Sequence, residues 1–136
     1  MNKLFLALLT ICLASASAKA DVITKVYDGD TVTTSTGEKI RLACIDAPEI
    51  KTNRHGKKDP IKGPASQKWL SKLVLGKEVK VERLVRDLYG RTIARLFLED
   101  GAEVNELSVV MGYSVPYMSK YCEWALPSLS TRSPNK

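Results

Sequence analysis

Five charged residues in two short segments carry the chemistry this chain could perform. The first segment is Asp28-Gly29-Asp30-Thr31, continued at Arg41-Leu42-Ala43-Cys44-Ile45-Asp46-Ala47-Pro48-Glu49; the second is Asp87-Leu88-Tyr89-Gly90-Arg91. Asp30, Asp46 and Glu49 offer carboxylate oxygens, the donors that hard cations such as calcium or magnesium take. Arg41 and Arg91 stay charged at any relevant pH, and their planar forks match phosphate oxygens two at a time. Together these types suit one kind of chemistry, in which a cation is held beside a phosphodiester and a water is aimed at phosphorus. Glu49 follows the stiff Pro48 and is a candidate to position or deprotonate that water. Taken singly, each group has a plainer role as a surface ion, and for Asp28 a turn-capping role is the favoured reading.

Those residues need a frame. Val22 to Tyr27 alternates among β-branched residues and predicts a strand, broken by Asp28-Gly29-Asp30 as a turn or bulge. Thr31 to Thr34 resumes extended structure, Thr36-Gly37 turns the chain, and Lys39 to Ile45 pairs back with Ile40, Leu42 and Cys44 on one face and Arg41 and Ala43 on the other. The start of one strand lies near the end of its antiparallel partner, so Asp30 and Asp46 can converge although far apart in sequence. Two convergent carboxylates repel unless a cation separates them or one takes up a proton.

Ile50 to Lys62 is a basic, Gly- and Pro-containing loop in which His55, the single histidine, is a solvated residue. A helix is predicted from Gly63-Pro64, with Pro at its first position, Ala65, Trp69, Leu70, Leu73 and Val74 on one face, and Gly76 as its stop. Glu78 to Val85 and Arg91 to Leu98 read as strands around a Leu88-Tyr89-Gly90 turn. Asn105 is placed as the N-cap of a second helix that Gly112 closes. Trp69 and Trp124 are read as packing residues, and the polar residues beyond Tyr121 as a frayed tail. The order β-β-β-α-β-β-α, with five short antiparallel strands and at least two helices, predicts an α+β protein built on a five-stranded OB-fold barrel. Such barrels often bind oligonucleotides or oligosaccharides.

The chain has 136 residues and a net charge of +6, room for one domain and compatible with a polyanionic partner. Lys3, the apolar run Leu4 to Leu13 and Ala18-Lys19-Ala20 follow the grammar of a secretory signal peptide over residues 1–20, too short to span a bilayer. The expected organisation is that signal, a domain over 21–121 and a tail over 122–136, the product being exported, secreted or periplasmic, and free of the membrane once the signal is cleaved. Cys44 and Cys122 then remain. They could form one disulfide, or Cys44 could be a small buried core residue; the residues leave both open.

The stretches Val26-Tyr27-Asp28-Gly29-Asp30-Thr31-Val32, Arg41-Leu42, Ile45-Asp46-Ala47-Pro48-Glu49, Gly63-Pro64-Ala65-Ser66, Asp87-Leu88-Tyr89-Gly90-Arg91 and Val104-Asn105-Glu106 occur in the order and spacing of a known family. From about Val22 to Tyr121 the chain resembles staphylococcal nuclease (thermonuclease-like) proteins. The resemblance implies a calcium-dependent endonuclease on an OB-fold that hydrolyses DNA and RNA with little sequence preference, leaves a 3′-phosphate and works as a monomer. It implies Ca²⁺ bound by the carboxylates of Asp30 and Asp46 and the main-chain carbonyl of Ala47, with Glu49 as proposed base and Arg41 and Arg91 on the scissile phosphate. Tyr89 and Tyr117 take the positions of tyrosines lining the nucleotide pocket. Two departures stand out: a third, C-terminal helix usual in the family is shortened or absent, and Leu88 stands where a lysine is known. Two other classes compete with the enzyme: a non-catalytic OB-fold module that binds nucleic acid, and an exported structural protein whose acids and arginines are surface ion pairs.

Overall fold

The computed structural model describes residues 20–50, 59 and 61–122. The expectations for the signal peptide, most of the basic loop with His55, Trp124 and the tail beyond Cys122 lie outside the described residues; Cys122, expected to open the tail, is buried.

Among the described residues, seven strands and two helices form. β1 (Asp21–Asp28), β2 (Thr31–Thr34), β3 (Lys39–Leu42), β5 (Glu78–Arg86) and β6 (Thr92–Phe97) close a barrel in the order β1-β2-β3-β6-β5. β4 (Ile45–Asp46) and β7 (Val115–Pro116) pair as a small separate ribbon. Helix α1 (Lys62–Val74) lies between β4 and β5, and α2 (Val104–Val110) follows β6. The closed five-stranded barrel with its two helices is an OB-fold. One seam differs from the all-antiparallel expectation: β3 and β6 run parallel, with Arg41 opposite Ile93.

Alternation packs the barrel. Ile23, Val32, Ile40, Leu42, Val79, Ala94 and Leu96 point inward and are fully buried or nearly so, while Leu70, Val74 and Val104 plug the interior from the helices. Removing this apolar surface from water is the dominant favourable term.

Three local expectations change. The predicted strand Lys39 to Ile45 breaks after Leu42, because Cys44 adopts φ 66°, a left-handed conformation rare outside glycine. Ala43 and Cys44 therefore both turn inward instead of alternating. In α1, Lys62 rather than Pro64 opens the helix; Pro64 still sits in the first turn, where a missing N–H costs nothing. The buried face of α1 is Gly63, Ser66, Leu70 and Val74, and Ala65 faces out. Asn105 is not a cap: Glu103 precedes α2, and the Asn105 side chain is buried in the core. Gly76 ends α1 with φ 73°, and Trp69 stacks on Tyr113 at 4.9 Å, a packing role. Cys44 and Cys122 are joined by a disulfide with Cα atoms 5.6 Å apart.

Candidate active site

The site starts at a bulge. The β1–β2 register slips between Val26 and Asp28, which turns the chain out of the barrel wall just before the two aspartates. The Asp28 carboxylate accepts the Asp30 N–H at 3.0 Å, the turn-capping role expected of it. Gly29 passes so close to α1 and the β4 exit that a Cβ there would meet Ser66 Oγ and the Ala47 Cβ well inside contact distance. The acidic turn is thus clamped between α1 and Ala47.

Asp30 is buried, and its oxygens are tied down individually. Oδ1 accepts the Thr31 hydroxyl at 2.9 Å, and Oδ2 accepts the Ala47 N–H at 2.8 Å. Arg41 reaches the same place from β3. Its Nη1 donates to the carbonyls of Leu42 (2.7 Å) and Ile45 (2.9 Å), closing the turn around Cys44. Its Nη2 lies 3.4 Å from both Asp30 and Asp46. The guanidinium is therefore one positive charge shared by two carboxylates.

Negative charge accumulates here. Burial, then Asp30 beside it, pushes the Asp28 carboxyl up to about 7, with the Glu49 charge adding to the same effect. Burial raises Asp46 as well, opposed by Arg41 and reinforced by Asp30. The Glu49 charge thus acts on the aspartate turn, and its backbone is fixed from two sides. Its carbonyl accepts the Asp59 N–H at 2.9 Å, and a Cβ at Gly63 would meet that same carbonyl oxygen at 2.6 Å. Asp59 in turn accepts the N–H groups of Ile61 and Lys62, so one residue holds both the start of α1 and the Glu49 segment.

Arg91 sits one residue before β6. Strand alternation puts it on the same outer face as Ile93, and Ile93 is the cross-strand partner of Arg41. By strand spacing the two arginine backbones are on the order of 8 Å apart. The Arg91 Nε donates to Asp87 at 2.7 Å, and its guanidinium lies 5.5 Å from the centre of the Tyr89 ring. Tyr89 is exposed at the tip of this hairpin. Tyr117, also exposed, follows β7 and donates its N–H to the Cys44 carbonyl at 2.9 Å, next to the ribbon that carries Asp46. Direct contacts thus join Asp30, Asp46, Ala47 and Arg41. The Glu49 charge acts on the adjoining Asp28 carboxyl, and Arg91 and Tyr89 belong to the neighbouring hairpin.

Asn105 is the residue whose role sequence reasoning misplaces. Its amide donates to the carbonyls of Ala43 (2.9 Å) and Ala94 (3.1 Å) and accepts the Leu96 N–H (3.1 Å), stapling the Arg41 turn to β6. Two further residues gain roles that only the fold reveals. The Ser66 hydroxyl donates to the Tyr113 carbonyl at 2.8 Å, and the Gln67 amide reaches the Val26 and Tyr27 carbonyls. Their signal in the sequence is only a polar residue on or beside an otherwise apolar helix face.

The donors near Asp30 and Asp46 are all hard oxygens, the chemistry calcium and magnesium prefer, and the two carboxylates already share a cationic group. Among the described residues no three Asp, Glu, His or Cys side chains form a ready-made metal cage. By donor type, then, Asp30 and Asp46 would suit a hard cation held between them.

A barrel of this topology with acids and arginine gathered at the β1–β2 and β3–β4 turns defines the OB-fold class with a polar site at one end. Residues 39–128 match the family described as Staphylococcal nuclease homologue, and the chain belongs to that family. It is 33% identical over 114 residues to an uncharacterized endonuclease of Escherichia coli O157:H7, covering 82% of this chain and 69% of that one. A second uncharacterized endonuclease, from Haemophilus influenzae, is 35% identical over 103 residues, covering 73% of this chain and 53% of its own length. A probable endonuclease of Komagataella phaffii is 33% identical over 84 residues, 60% of this chain and 36% of that protein.

Proposed function

We propose that this protein is an exported, calcium-dependent endonuclease that hydrolyses phosphodiester bonds of DNA and RNA with little sequence preference. Family membership and the endonuclease names of its relatives support nuclease chemistry. The observation that carries the proposal is the Arg41 guanidinium held between Asp30 and Asp46, with Asp30 anchored on the Ala47 N–H.

A calcium ion bound by Asp30, Asp46 and the Ala47 carbonyl would neutralise a phosphate oxygen. The chain's own groups do the rest. Glu49 accepts the proton of the attacking water as its oxygen bonds to phosphorus. Arg41 and Arg91 donate to the non-bridging oxygens, where charge grows in the transition state. The bond from phosphorus to the 5′ oxygen breaks, that oxygen takes up a proton and leaves as a hydroxyl, and a 3′-phosphate remains. Tyr89 and Tyr117 present exposed rings for the flanking nucleotides.

Export is part of the proposal. It is supported by the N-terminal grammar and by the Cys44–Cys122 disulfide, which suits an oxidising compartment. No helix among the described residues is long and apolar enough to cross a membrane. The test is digestion of plasmid DNA and RNA by residues 21–136 with calcium and with chelator, beside Asp30→Ala and Glu49→Gln. Cleavage with calcium that both substitutions abolish is expected. Binding without cleavage would replace the enzyme by a non-catalytic nucleic-acid module.

A further inference from the structure

The barrel carries a second group of cations that the cleavage site does not use. Lys25 on β1 pairs with Thr33 on β2, and Thr33 pairs with Lys39 on β3, so the two lysines flank one threonine in a single cross-strand row. Both are exposed. Their ammonium groups converge on the Tyr27 ring, Lys25 Nζ at 4.4 Å and Lys39 Nζ at 4.5 Å from its centre. Two like charges so close repel, and the ring's negative faces offset part of that cost. Among the described residues neither lysine forms an ion pair. Glu38, beside Lys39 in sequence, is already bound to Arg83 and Thr92.

The row points toward the cleavage site. Two residues beyond Lys39 on the same face of β3 is Arg41, and Lys39 and Arg91 are the residues that immediately precede the paired Ile40 and Thr92. Lys25 and Lys39 therefore form a cationic stripe across three neighbouring strands, beside the strand position of Arg41. We propose that Lys25 and Lys39, held in place by Tyr27, bind the phosphates of a nucleic-acid strand on one side of the scissile bond, as a substrate-holding extension of the site. This rests on the nucleic-acid reading above. It makes the stripe a reader of backbone charge, indifferent to base sequence.

The test compares wild type, Lys25→Ala/Lys39→Ala and Lys25→Arg/Lys39→Arg, each first shown by thermal melting to be folded. Binding of a fluorescent single-stranded 20-mer is measured in chelator across a salt series, and turnover of the 20-mer and of a dinucleotide is measured in calcium. The alanine pair is expected to weaken 20-mer binding on the order of ten- to a hundred-fold at low salt and to lower the slope of log K against log salt by about 1.4, at roughly 0.7 per lost single-strand phosphate contact. Dinucleotide turnover should be unchanged, and the arginine pair should restore binding. An unchanged salt slope, or equal losses on 20-mer and dinucleotide, would overturn the proposal. Wild type that binds the 20-mer but does not cut it, with the slope still falling in the alanine pair, would sink the nuclease reading and leave the stripe standing.

Discussion

At the scale of single residues, the site is built from groups that do two things at once. Arg41 closes the Cys44 turn with one nitrogen and neutralises two acids with the other, so Arg41→Ala should lose both shape and charge. Among the described residues Arg91 is tied only within its hairpin, to Asp87 and the Tyr89 ring, and gives the cleaner kinetic experiment. Arg91→Ala should lower kcat by about 10²-fold or more with little change in thermal stability; an unaltered rate would remove that arginine from the chemistry. Asp87 supplies a check on the tether. Burial alone would raise its pKa, but the N–H groups of Arg91 and Tyr89 and the Arg91 guanidinium together hold it below the ordinary 3.8. A carboxyl depressed in the folded state contributes stability above its unfolded pKa and loses it as pH falls through the folded value. The Arg91 tether should therefore hold at neutral pH and release only in acid below about pH 4. Titration of Asp87 by NMR should show this, with the pKa rising in Arg91→Ala.

At the scale of elements, what decides the site is how turns are pinned to neighbours that the sequence does not place beside them. Asn105 joins the Ala43 turn, β6 and the start of α2 through three buried hydrogen bonds. Asn105→Ala orphans buried backbone groups and should cost about 3 kcal/mol, lowering Tm on the order of 15 °C in a melting experiment. Gly29→Ala should be as damaging, because the added methyl runs into Ser66 and Ala47, and nuclease activity should fall with it. Strand and helix identities are legible from alternation, from the 3.6-residue spacing and from Gly turns, since these signals are local. The break after Leu42 is not, because Cys44 takes its left-handed φ under a disulfide and a long-range hydrogen bond from Tyr117. Asn105 misleads for the same reason. A polar residue at a helix start looks like a cap, and its partner 62 positions earlier is invisible. The acids and arginines are legible because their types and their motif are local, whereas the contacts that gather Asp30, Asp46, Ala47 and Arg41 depend on the closed barrel.

At the scale of the molecule, one covalent link spans the domain. The disulfide joins Cys44 to Cys122, 78 positions apart, and on the chain-entropy account is worth about 4 kcal/mol. Reduction, or Cys122→Ser, should lower the midpoint of denaturant unfolding by a corresponding amount. The Cys44 turn should also show faster hydrogen exchange. Several parts that brace the turns carrying the acids come late in the chain: β6 beside β3, Asn105 on Ala43, Val115 beside Asp46 and Cys122 on Cys44. A nascent polypeptide therefore carries Asp30, Arg41 and Asp46 long before it has the scaffold to aim them. If the protein is exported as proposed and threaded outward as an unfolded strand, its nuclease site is completed only when the final third has followed.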